Sequence, residues 1–329
     1  MEDAFDRIAA AEVVPGAAVP RNVVIDNPDI QRVQKRIAMA TIVVPALGTL
    51  AALLLLFWRP VTALDLGLMA ALYVLTTLGV TAGFHRLFAH RAYKARPGLR
   101  VALAILGSMA AQGTPVYWVA THRRHHQYSE GEGDPHSPYT HEGEVLGRLR
   151  GFWHSHVGWM LESRMTNTAR FARDLIQDPQ VAWVNRHYWT WVALGLLIPA
   201  ALGGLLSWSW AGALTGLLWG GLVRMFLAHH FMWTSGSTAH IFGTRPFLTR
   251  DKSTNNALLA IPNLGEAWHN NHHAFPSSAI FGLHWWQLDL GGLFIRLCAR
   301  LGWAAELRVP TREMIEDKKK TPEGGIEAW

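Results

Sequence analysis

The chain has 329 residues, of which half are apolar and only 16% are charged. Soluble domains carry about 25% charged residues, so this composition indicates a membrane protein. In such a protein the net charge of +6 marks the cytoplasmic side and contacts with membrane lipid, and we expect no nucleic acid partner. The single cysteine, Cys298, excludes a disulfide within the chain and thiolate-ligated zinc or iron–sulfur sites.

Four apolar stretches are long enough to cross a bilayer, which takes about 20 residues. Arg59 and Pro60 separate the first pair, and Ser209 and its neighbours separate the second, so the stretches predict two hairpins. The sequence therefore predicts an all-α membrane protein with four transmembrane helices. The predicted spans are about 38–58, 61–84, 189–208 and 211–231, and a shorter apolar stretch at 101–112 is expected to be re-entrant or interfacial.

Basic residues lie before the first span, between the second and third spans, and after the fourth. By the positive-inside rule, both termini and the long middle segment are expected in the cytoplasm. The N-terminus lacks the basic region and short apolar core of a signal peptide. We expect an N-terminal cytosolic segment (1–37), one membrane domain (38–310) and a mobile C-terminal tail (311–329). The basic, tryptophan-rich composition favours a bacterial inner membrane.

Seventeen histidines are the most unusual feature of the composition. Three clusters of them fall in the segments that are expected on the cytoplasmic face. In two clusters the histidines stand at i, i+3 and i+4, which places them on one face of a helix. The clusters are His85 and His90; His122, His125 and His126; and His269, His272 and His273.

Imidazole is a good ligand for iron, copper, zinc and nickel. Eight histidines are too many for one ion, so two ions are the natural count. Because His85 and His90 are five residues apart, they diverge on an α-helix and could reach different metals. Two irons can activate O2 for C–H chemistry, whereas zinc is redox-inert. The sequence therefore predicts a di-iron oxygenase with its metal site on the cytoplasmic face.

Two other classes use histidines differently. A membrane cytochrome would place paired haem ligands inside facing spans, and a metal transporter would place polar ligands within the spans. The predicted spans are nearly free of such groups apart from Asp65 and Arg224. His229 and His230, at the end of the fourth span, remain possible additional metal ligands.

The motifs around these clusters resemble those of membrane fatty-acyl desaturases of the stearoyl-CoA type. The resemblance extends from about the first span to Arg300. Outside the three clusters, His240 matches a ninth histidine that follows the fourth span in that family. The matching segments are 83–91, 122–126 with 134–136, 155–159, 237–243 and 265–276.

The resemblance implies a four-span helical bundle with a cytosolic helical cap that holds a di-iron centre. It implies a desaturase that inserts a cis double bond, with O2 as co-substrate and electrons from a ferredoxin or a b-type cytochrome with its reductase. The substrate would be a fatty-acyl thioester (of CoA or acyl carrier protein) or an acyl lipid. A hydroxylase, acetylenase or decarboxylase on the same histidines remains an alternative. One iron would be held by His85, His122, His126 and His272, and the other by His90, His125, His240, His269 and His273.

The resemblance also implies substrate contacts. Tyr73 matches a position near the methyl end of the bound chain, and Thr77, one turn closer to the histidines, is a candidate limit on chain length. Gln112 and Trp118 match positions that line the bend of the acyl chain, and Trp159 is a further candidate contact.

Two departures from the family pattern bear on the reaction. Gly236 stands where many relatives have an asparagine that contacts one iron through water. Ala120 and Thr121 stand where animal relatives have an Arg–Asp pair that holds CoA, which makes an acyl carrier protein or lipid substrate more credible. No fused cytochrome domain is evident, so the electron donor is expected to be a separate protein.

Overall fold

The computed structural model describes residues 22–139, 145–162 and 164–319, and their regular structure is almost entirely helical. Two pairs of two-residue strands are antiparallel, Val24–Ile25 with Met165–Thr166 and Lys94–Ala95 with Ala304–Ala305. The helices are α1 (Pro28–Leu55), α2 (Ala63–Ala89), α3 (Pro97–Met109), α4 (Pro115–Tyr128), α5 (Val145–His156), α6 (Thr168–Phe171), α7 (Arg173–Gln177), α8 (Pro179–Arg186), α9 (Tyr188–Ser207), α10 (Trp210–His240), α11 (Ala257–Ala260), α12 (His269–Ala274), α13 (Leu290–Arg300) and α14 (Arg312–Asp317). The strands are β1 (Val24–Ile25), β2 (Lys94–Ala95), β3 (Met165–Thr166) and β4 (Ala304–Ala305), and a 3₁₀ turn spans Gly158–Leu161.

Helices α1, α2, α9 and α10 are long and apolar enough to cross a membrane, which confirms the prediction of four spans. The hairpin ends carry Trp58, Trp208 and Trp210, which are almost fully exposed. At the opposite end of the bundle, the start of α1, the end of α2, the start of α9 and the end of α10 line one common cavity. Helices outside the four spans, including α4, α12 and α13, pack at that same end and are called the cap below.

The spanning helices extend beyond the apolar stretches that predict them. Helix α1 begins at Pro28 because Asn27 caps its first turn, and its polar first turns continue the helix. Helix α2 runs to Ala89 instead of residue 84, and α10 runs to His240 instead of residue 231. A prediction from hydropathy ends where polar residues begin, whereas these helices continue into the cap with buried polar side chains.

Part of the segment expected to be a mobile tail is packed. Thr311 caps α14, and Lys318 Nζ donates a hydrogen bond to the Ala274 carbonyl at 2.5 Å. The backbone of Lys319 forms an isolated antiparallel β-bridge with the backbone of Phe247. Residues 320–329 lie outside the described residues, as do residues 1–21 at the other end of the chain.

Arg224 in α10 is fully buried and joins three helices. Pro199 has no N–H, so it leaves the Gly195 carbonyl in α9 without its usual helical donor. The Arg224 guanidinium donates to that carbonyl at 2.7 Å and to the Met109 carbonyl at the end of α3 at 2.9 Å. This side chain, one of the two polar groups noted within the spans, therefore satisfies backbone groups inside the bundle.

His229 performs a similar task one and a half turns later in α10. Its Nε2 donates to the Ala110 carbonyl just beyond α3 at 2.7 Å. The hydrogen bonds of Arg224 and His229 together hold α3, α9 and α10 beside the cap.

The largest buried apolar cluster lies where α2 enters the cap. Phe84 and Phe88 of α2 pack with Leu103 of α3, Val119 of α4 and Ile295 of α13. This packing fixes the end of α2 and helix α4, and five of the predicted metal ligands lie in these two segments or directly after α2.

Candidate metal centre

The nine predicted ligands assemble into two adjacent groups. In the first, the ligand nitrogens lie within 4.8 Å of one another, and those of the second do so as well. Histidines from α2, α4, the end of α10 and α12 thus converge although they are far apart in sequence. The first group is His85, His90, His122, His126 and His272, and the second is His125, His240, His269 and His273.

Ring nitrogens in the first group face one another at short range. The Nε2 atoms of His85 and His272 are 2.9 Å apart, and those of His90 and His122 are 2.7 Å apart. His126 Nε2 lies 2.9 Å from His272 Nε2. Such convergence of lone pairs suits a cation at the centre of the group.

The second group has the same character. The Nε2 atoms of His240 and His269 are 3.0 Å apart. The Nε2 atoms of His125 and His273 are buried and have no hydrogen-bond partner among the described residues. A buried polar atom without a partner is costly, and a metal ion would satisfy both.

His90 lies in the first group, although the resemblance implied the second. The reason is the backbone of α2, whose last part (Gly79–Ala89) is a π-helix. There the His90 N–H donates to the His85 carbonyl at 3.1 Å. This i→i+5 bond of a π-helix brings residues five apart closer to the same face of the helix than an α-helix would. The ring centroids of His85 and His90 are 5.0 Å apart. The α-helical divergence expected from their spacing therefore does not occur.

Carboxylates are hydrogen-bonded to four of the predicted ligand rings, on the side that faces away from the centre of each group. Each accepts a hydrogen bond from Nδ1 and thereby directs Nε2 towards the centre. Asp134 and Glu266 lie within the segments that carry the family resemblance, whereas nothing in the sequence around Glu130 and Asp251 indicates this role. The pairs are His85 with Glu266, His125 with Asp134 (3.0 Å), His240 with Glu130 (2.8 Å) and His273 with Asp251 (2.5 Å).

Electrostatics keep the first group ready to bind a cation. Burial lowers the pKa values of His90, His122, His126 and His272 well below the usual range, and neighbouring histidines lower them further. These rings are therefore neutral at pH 7, which is the form that binds metal. Burial would raise the pKa of Glu266, but His85 and Arg86 lower it, so this residue is a carboxylate.

Gly236 leaves space that another histidine fills. A Cβ atom at Gly236 would lie 3.0 Å from Nδ1 of His136, whose ring stacks on His125 with centroids 4.4 Å apart. His136 Nδ1 is buried without a hydrogen-bond partner among the described residues. At this departure from the family pattern, the His136 ring therefore packs directly against Gly236.

The other two candidate ligands do not reach the groups. The N–H of His229 is bonded to the Ala110 carbonyl, as described above. His230 Nδ1 lies 3.1 Å from His156 Nε2, and His156 Nδ1 lies 2.9 Å from Ser237 Oγ. These contacts attach α5 to α10.

An apolar cavity of about 360 Å³ adjoins both groups. His85 and His122 of the first group and His125 and His269 of the second lie in its wall. The predicted substrate residues Gln112, Trp118 and Trp159 also line it. Trp118 stacks on His122 with ring centroids 5.1 Å apart, so an apolar surface lies directly beside the ligand nitrogens.

Tyr73 and Thr77 do not line this cavity. The Tyr73 ring packs edge-on against Phe231 with centroids 6.5 Å apart, and its hydroxyl donates to the Pro262 carbonyl. Thr77 is buried in α2. Both side chains therefore lie outside this cavity, and their contact with the methyl end of the acyl chain stays a prediction.

The structure combines four spanning helices, two groups of buried histidines and an adjacent apolar cavity. This combination is typical of a metal-dependent oxidoreductase that acts on apolar chains. Residues 63–292 match the fatty acid desaturase family. The chain is 45% identical to a hex-5-enoyl-[acyl-carrier protein] acetylenase from Moorena producens (strain JHB), over 92% of this chain and 95% of that one. It is 36% identical to an sn-1 stearoyl-lipid 9-desaturase from Anabaena variabilis (75% and 85% covered) and 37% identical to an acyl-CoA C20 Δ5-desaturase from Anemone leveillei (73% of each covered).

The chain therefore belongs to the fatty acid desaturase family. It is a membrane oxidoreductase that acts as a fatty-acyl desaturase, as the sequence analysis predicted. Its histidine groups are compatible with a metal centre.

Proposed function

We propose that this protein uses two irons and O2 to introduce unsaturation into an acyl chain that an acyl carrier protein holds as a thioester. The observation that carries the proposal is the pair of histidine groups, with converging nitrogens and supporting carboxylates, in the wall of an apolar cavity. Iron fits because imidazole suits it and because removal of hydrogen from a methylene needs a redox-active metal.

The relatives act on three kinds of acyl carrier by their names, and two observations favour acyl carrier protein. The relative at 45% identity is named for an acyl-carrier-protein substrate and matches 92% of this chain. The positions of the CoA-binding pair expected from the resemblance hold buried, uncharged residues: Ala120 is fully buried, and Thr121 lies 3.4 Å from Thr166 between their hydroxyl oxygens. No charge is present there to bind the phosphates of CoA.

The residues of the chain perform binding and orientation. Nine histidines would hold the irons, which supply the oxidising power when bound. The apolar walls exclude water, and Trp118, Trp159 and Gln112 would position the acyl chain beside the ligand nitrogens. Two hydrogens leave adjacent carbons, two electrons come from a ferredoxin or a b-type cytochrome with its reductase, and two protons come from solvent. One O2 would thereby become two waters. Both termini and the metal centre would face the cytoplasm of a bacterial inner membrane.

The test combines metal analysis with product analysis. Purified protein should contain about two irons per chain, and with reduced ferredoxin it should convert acyl carrier protein thioesters in preference to matched CoA thioesters. Mass spectrometry of the released acyl chains should show a loss of two hydrogens. His125→Ala is the inactive control. A preparation that is fully active with zinc in place of iron, or that acts only on acyl-CoA, would contradict the proposal.

A second candidate is favoured by the same relative, whose name describes an acetylenase. The same site would remove two hydrogens from an alkene to give an alkyne. Saturated and terminally unsaturated acyl carrier protein substrates of equal length, compared in the same assay, distinguish the two reactions.

A further inference from the structure

The cavity ends at the level of the histidines. Its lining includes Met232 of α10 beside His85, and it includes neither Thr77 nor Tyr73 further along α2. Met232 is buried and packs with Val80 of α2 and Ala110 beyond α3. These three side chains form a floor directly beyond the metal centre, which we call the cavity floor.

Hydrogen bonds hold the cavity floor closed. Gln112 Nε2 donates to the Ala228 carbonyl at 3.3 Å, next to the 2.7 Å bond from His229 to the Ala110 carbonyl. Both bonds fasten the end of α3 to α10, so the gap between these helices cannot admit a chain without breaking them.

Beyond the floor, side chains are packed against other parts of the chain. Thr81 of α2 is fully buried and donates a hydrogen bond to Glu266. Further on, the Tyr73 ring packs against Phe231 and its hydroxyl is bonded to the Pro262 carbonyl. An acyl chain that enters from the open end, where Ile30 and Trp189 are exposed, therefore meets the floor as it reaches the histidines.

We infer that the cavity floor makes this protein act on the methyl-end carbons of a short acyl chain, with Met232 as the residue that limits chain length. This inference rests on the proposed function and adds its regiochemistry. The oxidised carbons are those beside the histidines, and no room remains for further carbons beyond them. A mid-chain double bond would require about half of the acyl chain to continue past the metals, where Val80, Met232 and Ala110 are packed.

The experiment compares wild type, Met232→Ala and Met232→Leu on acyl carrier protein thioesters of six to sixteen carbons. Met225→Ala is the matched control, because Met225 is a buried methionine of the same helix outside the cavity. Wild type should prefer the short chains and place the unsaturation at their methyl end, as located by ozonolysis and mass spectrometry. A methylene that does not fit a pocket changes kcat/KM by roughly tenfold or more, so Met232→Ala should gain about that factor on longer chains.

Met232→Leu keeps the volume and should keep the wild-type profile, and Met225→Ala should also keep it. Mid-chain unsaturation of long substrates by wild type would overturn the inference, as would an unchanged length profile in a folded Met232→Ala protein. Failure of the proposed function is a separate result, because it would be seen as no conversion of any acyl carrier protein thioester by wild type. The bond position in wild-type product tests the inference even if Met232→Ala does not fold.

Discussion

The two histidine groups use the same ligand type but differ in what supports it. In the second group, three of the four histidines donate a hydrogen bond from Nδ1 to a carboxylate. The accepting carboxylates are those of Asp134, Glu130 and Asp251. In the first group, among the described residues, His85 alone does so, to Glu266. One Nδ1 atom in each group, that of His272 in the first and of His269 in the second, is buried without a partner among these residues.

We expect this difference in carboxylate partners to change the affinity of each group for its metal ion. A carboxylate on Nδ1 fixes the tautomer and raises the basicity of Nε2. Three carboxylates also place more negative charge around the second group, and Glu266 divides its charge between His85 and Arg86. We therefore expect the second group to bind its ion more tightly, and the first group to have the more exchangeable ion.

Alanine replacement of one ligand in each group should give the largest effects. His273→Ala and His272→Ala should each abolish product formation, because the reaction needs both ions. Iron should fall from about two to about one per chain in either variant. The measurement is iron content by mass spectrometry together with product analysis. Full activity in either variant would contradict the assignment of its ring as a ligand.

The carboxylates allow a sharper test of the asymmetry. Loss of an outer hydrogen-bond partner typically costs about 10- to 100-fold in metal affinity or activity. Asp251→Asn should lower the affinity of the second ion by about that factor and leave the first ion in place, as chelator competition would show. Glu266→Gln should affect the first ion. If Asp251→Asn released the first ion instead, the proposed division of affinities would be wrong.

Much of the centre could be predicted from the sequence because helical spacing carries the information. His122, His125 and His126 lie in a regular helix, so their i, i+3, i+4 pattern gives their common face directly. The four spans were predictable for a similar reason, since about 20 consecutive apolar residues have few alternatives to a membrane helix.

Other features depend on contacts that spacing does not reveal. His90 falls in the first group because the end of α2 is a π-helix, and no residue type in that segment predicts a π-helix. Glu130 is 110 residues from His240, and only the fold joins them. Met232 packs with Val80 of α2 and with Ala110 beyond α3, which are far from it in sequence, so the family position of Tyr73 could not show that this residue lies outside the cavity.

The smallest expected effect comes from a histidine–carboxylate pair outside both groups. His154 Nδ1 donates to Glu162 at 2.7 Å, the same contact as in the centre, but Glu162 is half-exposed and neither residue belongs to a ligand group. Exposed ion pairs contribute about 0–1 kcal/mol, so Glu162→Gln should change activity by less than about twofold and leave the iron content unchanged. Assay of this variant beside Asp251→Asn separates the effect of a metal ligand's partner from that of any histidine–carboxylate pair. A loss of iron in Glu162→Gln would show that the carboxylates act through the stability of the cap, because neither Glu162 nor His154 belongs to the two histidine groups found among the described residues.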